Sequence, residues 1–525
     1  MEIKLNIFIL IVYVLVCFYS ASAQVVHQIS FDRFTHYTID DWITYAPGLD
    51  VTAIDIGDEY VYFGTRNGGI LRYHVFDNFW DYPYTTSSGL RSNRIDNLVY
   101  HAKDNKLYAL TSQGIDVYNK AFNYWEPSNL TEMPPRRQPL QADINDFNRV
   151  KNYNFPEFYR PANSELPAFF TELPLLYRPP DEILDEHNRI FRLSPDRVVD
   201  KWRNVWLGTN GLGPARGNLN NMTLNFFPRS LSNISPRDLV FDNDKVWITG
   251  LANGPEPVGI NIWDLNNDDW RYIEARFNFG LHNDNGYSIV AHTDYIFCGS
   301  ELGLLIYHKR NQRWNTFTTA QGLESNQVNH LFFFDSTLFV ATDQGFNWLK
   351  PNYSQIDESN DRTLDNVPIY RITSTDSKVL FATRDGVFEY EPQSDQISFF
   401  GTQSALMDLY VTALGMHNDT LWLAGQYGIM YQDRLYDRWT SFTQIREYVF
   451  GVIHDIAFTP GHVWFASDNG LLKYDKNRDH WYLYTEKDGL ADRHVYKIVP
   501  DYNDLWLCTE KGVTIFRWNR QGRLE

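Results

Sequence analysis

A five-residue phrase returns ten times along this chain, and no other feature restricts the possible fold so tightly. It runs aliphatic, aromatic, apolar, small, then Thr, Ser or Gly. Clear copies are Val61-Tyr62-Phe63-Gly64-Thr65, Val205-Trp206-Leu207-Gly208-Thr209, Leu338-Phe339-Val340-Ala341-Thr342, Leu421-Trp422-Leu423-Ala424-Gly425 and Leu505-Trp506-Leu507-Cys508-Thr509. Weaker copies begin at Leu107, Val246, Ile296, Val379 and Val463. In most copies a glycine three residues further on opens another apolar run: Gly114, Gly303, Gly345, Gly386, Gly428, Gly470 and Gly512. The last five intervals between these glycines are 42, 41, 42, 42 and 42 residues, a regularity that marks a repeat architecture.

Each repeat reads as four short strands. A first strand such as Val495-Tyr496-Lys497-Ile498-Val499 ends in a turn-forming run, Pro500-Asp501-Tyr502-Asn503-Asp504. The phrase is the second strand, continuously apolar as a strand covered on both faces must be. Gly470-Leu471-Leu472-Lys473-Tyr474 exemplifies the third, and Trp481-Tyr482-Leu483-Tyr484 the fourth. A lone four-stranded sheet cannot bury two apolar faces. Stacking such sheets around an axis does so, which predicts an all-β protein: a β-propeller of about ten four-stranded blades. Asp41-Trp42-Ile43-Thr44-Tyr45 looks like a fourth strand with no unit before it, whereas the last unit stops near Trp518 after its third. The N-terminal strand is therefore expected to complete the last blade. The ten units fit one wide ring or two smaller rings. One ring is the expectation, because a seven-bladed ring of units four to ten would strand the other three.

Charge and composition exclude several partners. Lys and Arg number 47 against 65 Asp and Glu, a net charge of −18 that repels a phosphate backbone and argues against nucleic acid. An aromatic content of 16 % argues against disorder. Residues 1–23 read as an export signal: Lys4, then an apolar run from Ile7 to Phe18, then Ala21-Ser22-Ala23. The mature propeller would span 24–525, exported to the periplasm, cell surface or exterior, with no membrane span after signal cleavage. Cys17 raises a lipoprotein alternative, which the bulky Val16 before it disfavours. Cys298 and Cys508 then remain, both within apolar runs, and read as buried hydrophobes rather than a disulfide framework or a catalytic thiol.

Two runs carry a family resemblance. Trp314 to Leu323, WNTFTTAQGL, and Trp481 to Leu490, WYLYTEKDGL, each precede a hydrophobic strand, a turn, the phrase and its glycine. That order resembles the two-component regulator propeller repeat, over about residues 41–518 apart from one insertion. The resemblance implies an extracytoplasmic propeller of the kind found in sensor kinases and in exported proteins without a kinase. It implies scaffold rather than function, since the repeat encodes structural positions. The chain is expected to depart from the receptor plan, with no apolar span and no kinase domain after the propeller.

The insertion lies at 128–180, where nine of the chain's 23 prolines are interleaved with Phe155, Phe158, Tyr159, Phe169, Phe170 and Tyr177. It reads as an arm packed on the propeller flank, or alternatively as a lid or docking segment. Catalytic motifs are missing: no HExxH, CxxC, P-loop or Gly-x-Ser-x-Gly occurs. No metal or cofactor is expected. Asp242-Asn243-Asp244 and Asp501-Tyr502-Asn503-Asp504 fall where hairpins are needed, so turn chemistry explains them without calcium. The candidate ligand-binding residues follow the phrase directly: Arg66, Asn210, Glu301, Asp343, Arg384, Gln426, Asp468 and Glu510. In a propeller these positions border the channel mouth, and solvated turns are their plain alternative. The expected function is an exported binding or sensing module for a glycan, peptide or envelope protein. A propeller polysaccharide hydrolase or lyase is the alternative, and the missing motif favours binding.

Overall fold

The structure is a computed structural model that describes residues 37–101, 103–136, 158–159, 166–172, 174–254, 259–400, 410–425, 428–434, 438–442, 445 and 451–520. The export signal, Cys17 and much of the insertion lie outside the described residues. Each repeat forms one sheet, with its strands antiparallel and paired in chain order. These are the blades of a β-propeller, numbered 1 to 10 along the chain.

The phrase explains itself at close range. Its fourth residue packs against the start of the next blade's first strand, where a Cβ on Gly299 would lie 2.6 Å from Val328 Cγ1. Its fifth residue donates its hydroxyl to the carbonyl of the glycine opening the third strand, as from Thr342 to Gly345 (2.9 Å) and from Thr509 to Gly512 (2.8 Å). Those glycines have φ of 133° and 148°, which a residue with a Cβ rarely adopts. The run preceding Val328 is also explained: Thr319–Gln321 form a 3₁₀ turn, capped by the Thr318 hydroxyl and ended by Gly322 in the left-handed region.

Closure follows the expected route. Trp42–Tyr45 pairs antiparallel with Gly512–Phe516, and Trp42 lies opposite Phe516. Blade 10 is thus built from both ends of the described chain.

The ring count differs from expectation. Seven blades, 4 to 10, form a closed ring. Their first strands are Ile234–Asp242, Ser288–Ala291, Val328–Phe334, Ile369–Ser374, Val411–His417, Ile453–Thr459 and Val495–Asp501. Each packs against the next, and the last packs against the first. Seven apolar clusters fill the seven interfaces; the closing one joins Trp506 and Ile515 of blade 10 to Ile248 and Trp263 of blade 4. Blade 6 has three strands, and Tyr353, Ile356 and Leu364 pack where its fourth would lie.

The other three blades are a separate arc in the spatial order 3–1–2. One cluster joins Val198 and Trp206 of blade 3 to Ile54 of blade 1, and another joins Ala53 of blade 1 to Leu98 of blade 2. The insertion supplies what an open arc lacks. Leu166, Phe169 and Tyr177, with Ile183 just beyond the insertion, cover the free face of blade 3; Phe170–Thr171 and, beyond the insertion, Glu182–Leu184 add strands to its sheet. Met133 packs on the free face of blade 2. Arg136 then links the two arc ends, donating to Asp196 of blade 3 (2.8 Å) and to Asn97 of blade 2 (2.5 Å). Three stranded units were the objection to a seven-bladed ring. The arm removes it by covering both exposed faces, as terminal repeats cap a solenoid.

Candidate functional site

A β-bulge recurs in the first strand of most blades of the ring. The register shifts between Pro236 and Asp238, Val328 and His330, Ile369 and Arg371, Val411 and Ala413, Ile453 and Asp455, and Val495 and Lys497. The extra residues are Arg237, Asn329, Tyr370, Thr412, His454 and Tyr496. A bulge turns its unpaired residue away from the sheet, and here all six turn toward the ring axis. They line a cavity of about 360 Å³ together with Tyr287, Arg371 and Tyr410. Every blade of the ring contributes, so the cavity is the mouth of the central channel.

The lining is aromatic and cationic. Tyr370 and Tyr410 bond hydroxyl to hydroxyl at 3.0 Å. Burial, then the Tyr410 contact, pushes the Tyr370 phenol up, so it stays protonated at any physiological pH. The Arg237 guanidinium lies 3.5 Å from the Tyr496 ring centroid. Next along the first strands come Asp238, His330, Asp455 and Lys497. Burial alone would lower the Lys497 ammonium, but Asp455, 3.4 Å away, and Asp238 hold it above its ordinary value. Burial pushes the Asp238 carboxyl up, although Lys497 and the Ile289 N–H oppose this. Burial, reinforced by Arg371 and Lys497, drives His330 well below the ordinary imidazole range. Its Nδ1 accepts the Ile372 N–H at 3.2 Å.

The eight sequence candidates do not share one rim. Arg66 and Asn210 belong to the arc, where Arg66 pairs with Asp50 (3.2 Å) and Asn210 accepts from the Arg192 N–H. Gln426 lies outside the described residues. In the ring, the N–H of Asp468 bonds the Val452 carbonyl and that of Glu510 the His494 carbonyl. Among the described candidates, Asp468 and Glu510 hydrogen-bond to side chains of the cavity lining. Asp468 Oδ1 is 2.7 Å from His454 Nε2. Burial would raise the Asp468 carboxyl, but the His454 contact and the Val452 N–H hold it below the usual range. Glu510 accepts from the Tyr496 hydroxyl at 2.5 Å and from Arg237 at 3.3 Å. Glu301 is held loosely by Asn283 (3.5 Å), the Asp343 N–H donates to the Gln327 carbonyl (3.2 Å), and exposed Arg384 pairs with Asp385 (3.6 Å).

The bulge residues themselves were missed. Their signal was present: residues of mixed chemistry at one fixed distance ahead of the phrase, each just after a β-branched or proline residue near the start of its strand. Cys298 and Cys508 are buried free thiols, as expected, and burial pushes Cys298 up to about 12. No cluster of three metal-ligating side chains occurs among the described residues, and no described helix is long and apolar enough to cross a membrane.

No family model matches the chain, and no curated protein matches it in sequence. Solved structures match it in fold. PorZ, a surface component of the type-IX secretion system of Porphyromonas gingivalis, aligns over 92 % of this chain and 87 % of its own, at 12 % identity and a TM-score of 0.57. The likeness shows the propeller fold. The extracellular domain of a B. thetaiotaomicron hybrid two-component system aligns over 91 % of this chain and 71 % of its own, at 13 % identity and a TM-score of 0.46.

Proposed function

We propose that this chain is an exported, non-catalytic binding or sensing module whose ligand enters the mouth of the seven-bladed channel. The observation that carries the proposal is the convergence of bulge residues from six blades on one cavity. A scaffold needs no tyrosine, arginine or histidine there, whereas a ligand needs side chains freed from the sheet on a rigid base. A cavity of about 360 Å³ is the size of a small-ligand site. Two carboxylates beside the lining are each engaged, Asp468 with His454 and Glu510 with Tyr496 and Arg237. That arrangement favours holding a ligand over a free acid–base pair for glycoside cleavage. The leader-like residues 1–23 support export.

The test is to screen the mature chain on glycan and peptide arrays beside a polysaccharide-cleavage assay. Any ligand found should bind Tyr370→Ala and Tyr496→Ala at least tenfold more weakly, with little change in melting temperature. Turnover of a polysaccharide, or undiminished binding by both variants, would overturn the reading.

A further inference from the structure

The cations around the channel mouth are unequal. Arg237 has Glu510 at 3.3 Å, His454 has Asp468 at 2.7 Å, and Lys497 has Asp455 at 3.4 Å. Arg371 has no carboxylate within ion-pair distance among the described residues. Its Nε donates to the His454 carbonyl at 2.8 Å, which fixes the plane of the guanidinium. Its two terminal nitrogens make no hydrogen bond among the described residues, and the side chain lines the cavity. The buried Asp238 carboxyl feels the charge of Arg371 without pairing with it. Asp238 is occupied, accepting the Leu239 and Ile289 N–H groups at 2.8 and 2.9 Å, and burial disfavours its charge. A half-buried guanidinium with its fork free, at the centre of a chain of net charge −18, is a seat for an anion.

The surroundings narrow the anion. From this geometry we infer that Arg371 seats the carboxylate of an acidic sugar, a hexuronate unit. This rests on the channel-mouth reading above. The planar fork suits a carboxylate, which it can bind through two parallel hydrogen bonds. Around it stand Tyr287, Tyr370 and Tyr410, aromatic residues that suit the apolar faces and polar edge of a sugar, with Tyr496 held beside them by Arg237 and Glu510. The first strands at the mouth are the inner edge strands of their blades, each paired on one side only, so a peptide acid is the competing ligand that the titration separates from the sugar.

The experiment titrates the mature chain with four probes. They are an oligogalacturonate, the matching neutral oligogalactoside, and one short peptide as its C-terminal acid and as its amide. The oligogalacturonate should bind, weakening as salt rises from about 0.05 to 0.5 M, and the neutral sugar should bind roughly 10- to 100-fold more weakly, the worth of one charge-assisted contact. Arg371→Gln should remove that preference, and Arg371→Lys should keep part of it. Thermal melts of both variants must match the parent for the result to count; should Arg371→Gln melt early, the neutral-sugar comparison on the parent decides alone. Equal binding of the two sugars, both sensitive to Tyr370→Ala, overturns the carboxylate seat and leaves the channel-mouth reading standing. Binding of the peptide acid alone overturns the sugar. Binding of the sugars insensitive to Tyr370→Ala and Tyr496→Ala overturns both readings, and binding of no probe overturns the seat.

Discussion

Trp42→Ala tests how the ring is held shut. The Trp42 side chain is 3 % exposed and stacks on Phe516 with centroids 3.8 Å apart and planes 4° from parallel. It also closes against Gly489, where a Cβ would lie 2.6 Å from the indole Cδ1, and against Leu490 and Trp464 in the same cluster. Its Nε1 has no hydrogen-bond partner among the described residues, so truncation removes packing alone. Loss of a buried Trp of this kind costs about 3–5 kcal/mol, including the cavity left behind. A domain of this size shifts by roughly 2 °C per kcal/mol, so calorimetry should show the ring transition falling by about 6–10 °C. Trp42→Phe, which keeps the stack, should lose less than half of that. Native-state proteolysis should open new cleavage sites in and around Trp42–Tyr45 in the alanine variant, because the strand is held on one edge only. A transition within about 2 °C of the parent, with no new cleavage, would refute the idea that Trp42–Tyr45 latches the ring.

The arc depends on its arm: Phe169→Ala, beneath which Gly217 leaves room for the ring, should destabilise the arc by about 3–4 kcal/mol and leave the ring transition in place, as a two-transition melt would show. Arg136→Ala should cost about 1–3 kcal/mol and speed hydrogen exchange at the Ile54 amide, which donates to the same Asp196 carboxylate at 3.0 Å. Asp395 supplies a pH signature. Burial raises its carboxyl, but Ser359, Asn360 and Tyr390 outweigh burial and hold it at about 2. A folded-state value below the unfolded one, about 3.9, gives stabilisation that is complete above about pH 5 and lost as pH falls toward 2. Asp395→Asn should therefore melt earlier than the parent at pH 6 and show a shallower fall in melting temperature from about pH 5 to 2.5.

The blade was legible in the sequence because everything that makes it is local. In the last repeat the glycine at Gly512, the small residue at Cys508 and the hydroxyl at Thr509 each answer to a neighbour within one hairpin or one blade interface. The seam was legible too, since Trp42 and Tyr45 lack a unit of their own. The candidate site was only half visible. Asp468 and Glu510 lie beside the mouth, yet their part is to hold His454, Tyr496 and Arg237, which a β-bulge turns inward. A bulge is a mismatch between two strands, and it shows only when their register is known.

Ring closure belongs to the tertiary structure alone. Each repeat encodes a sheet with two apolar faces, and such a sheet accepts any neighbour of matching shape. Similar phrases at Val61 and Leu505 thus end in different assemblies, one in an arc and one in a ring. The number of blades around an axis is decided by the small angle between packed sheets, summed over every interface. No single repeat carries that sum. What stops the arc at three blades is likewise non-local, because Leu166, Phe169 and Arg136 cover faces and join strands far from them in sequence.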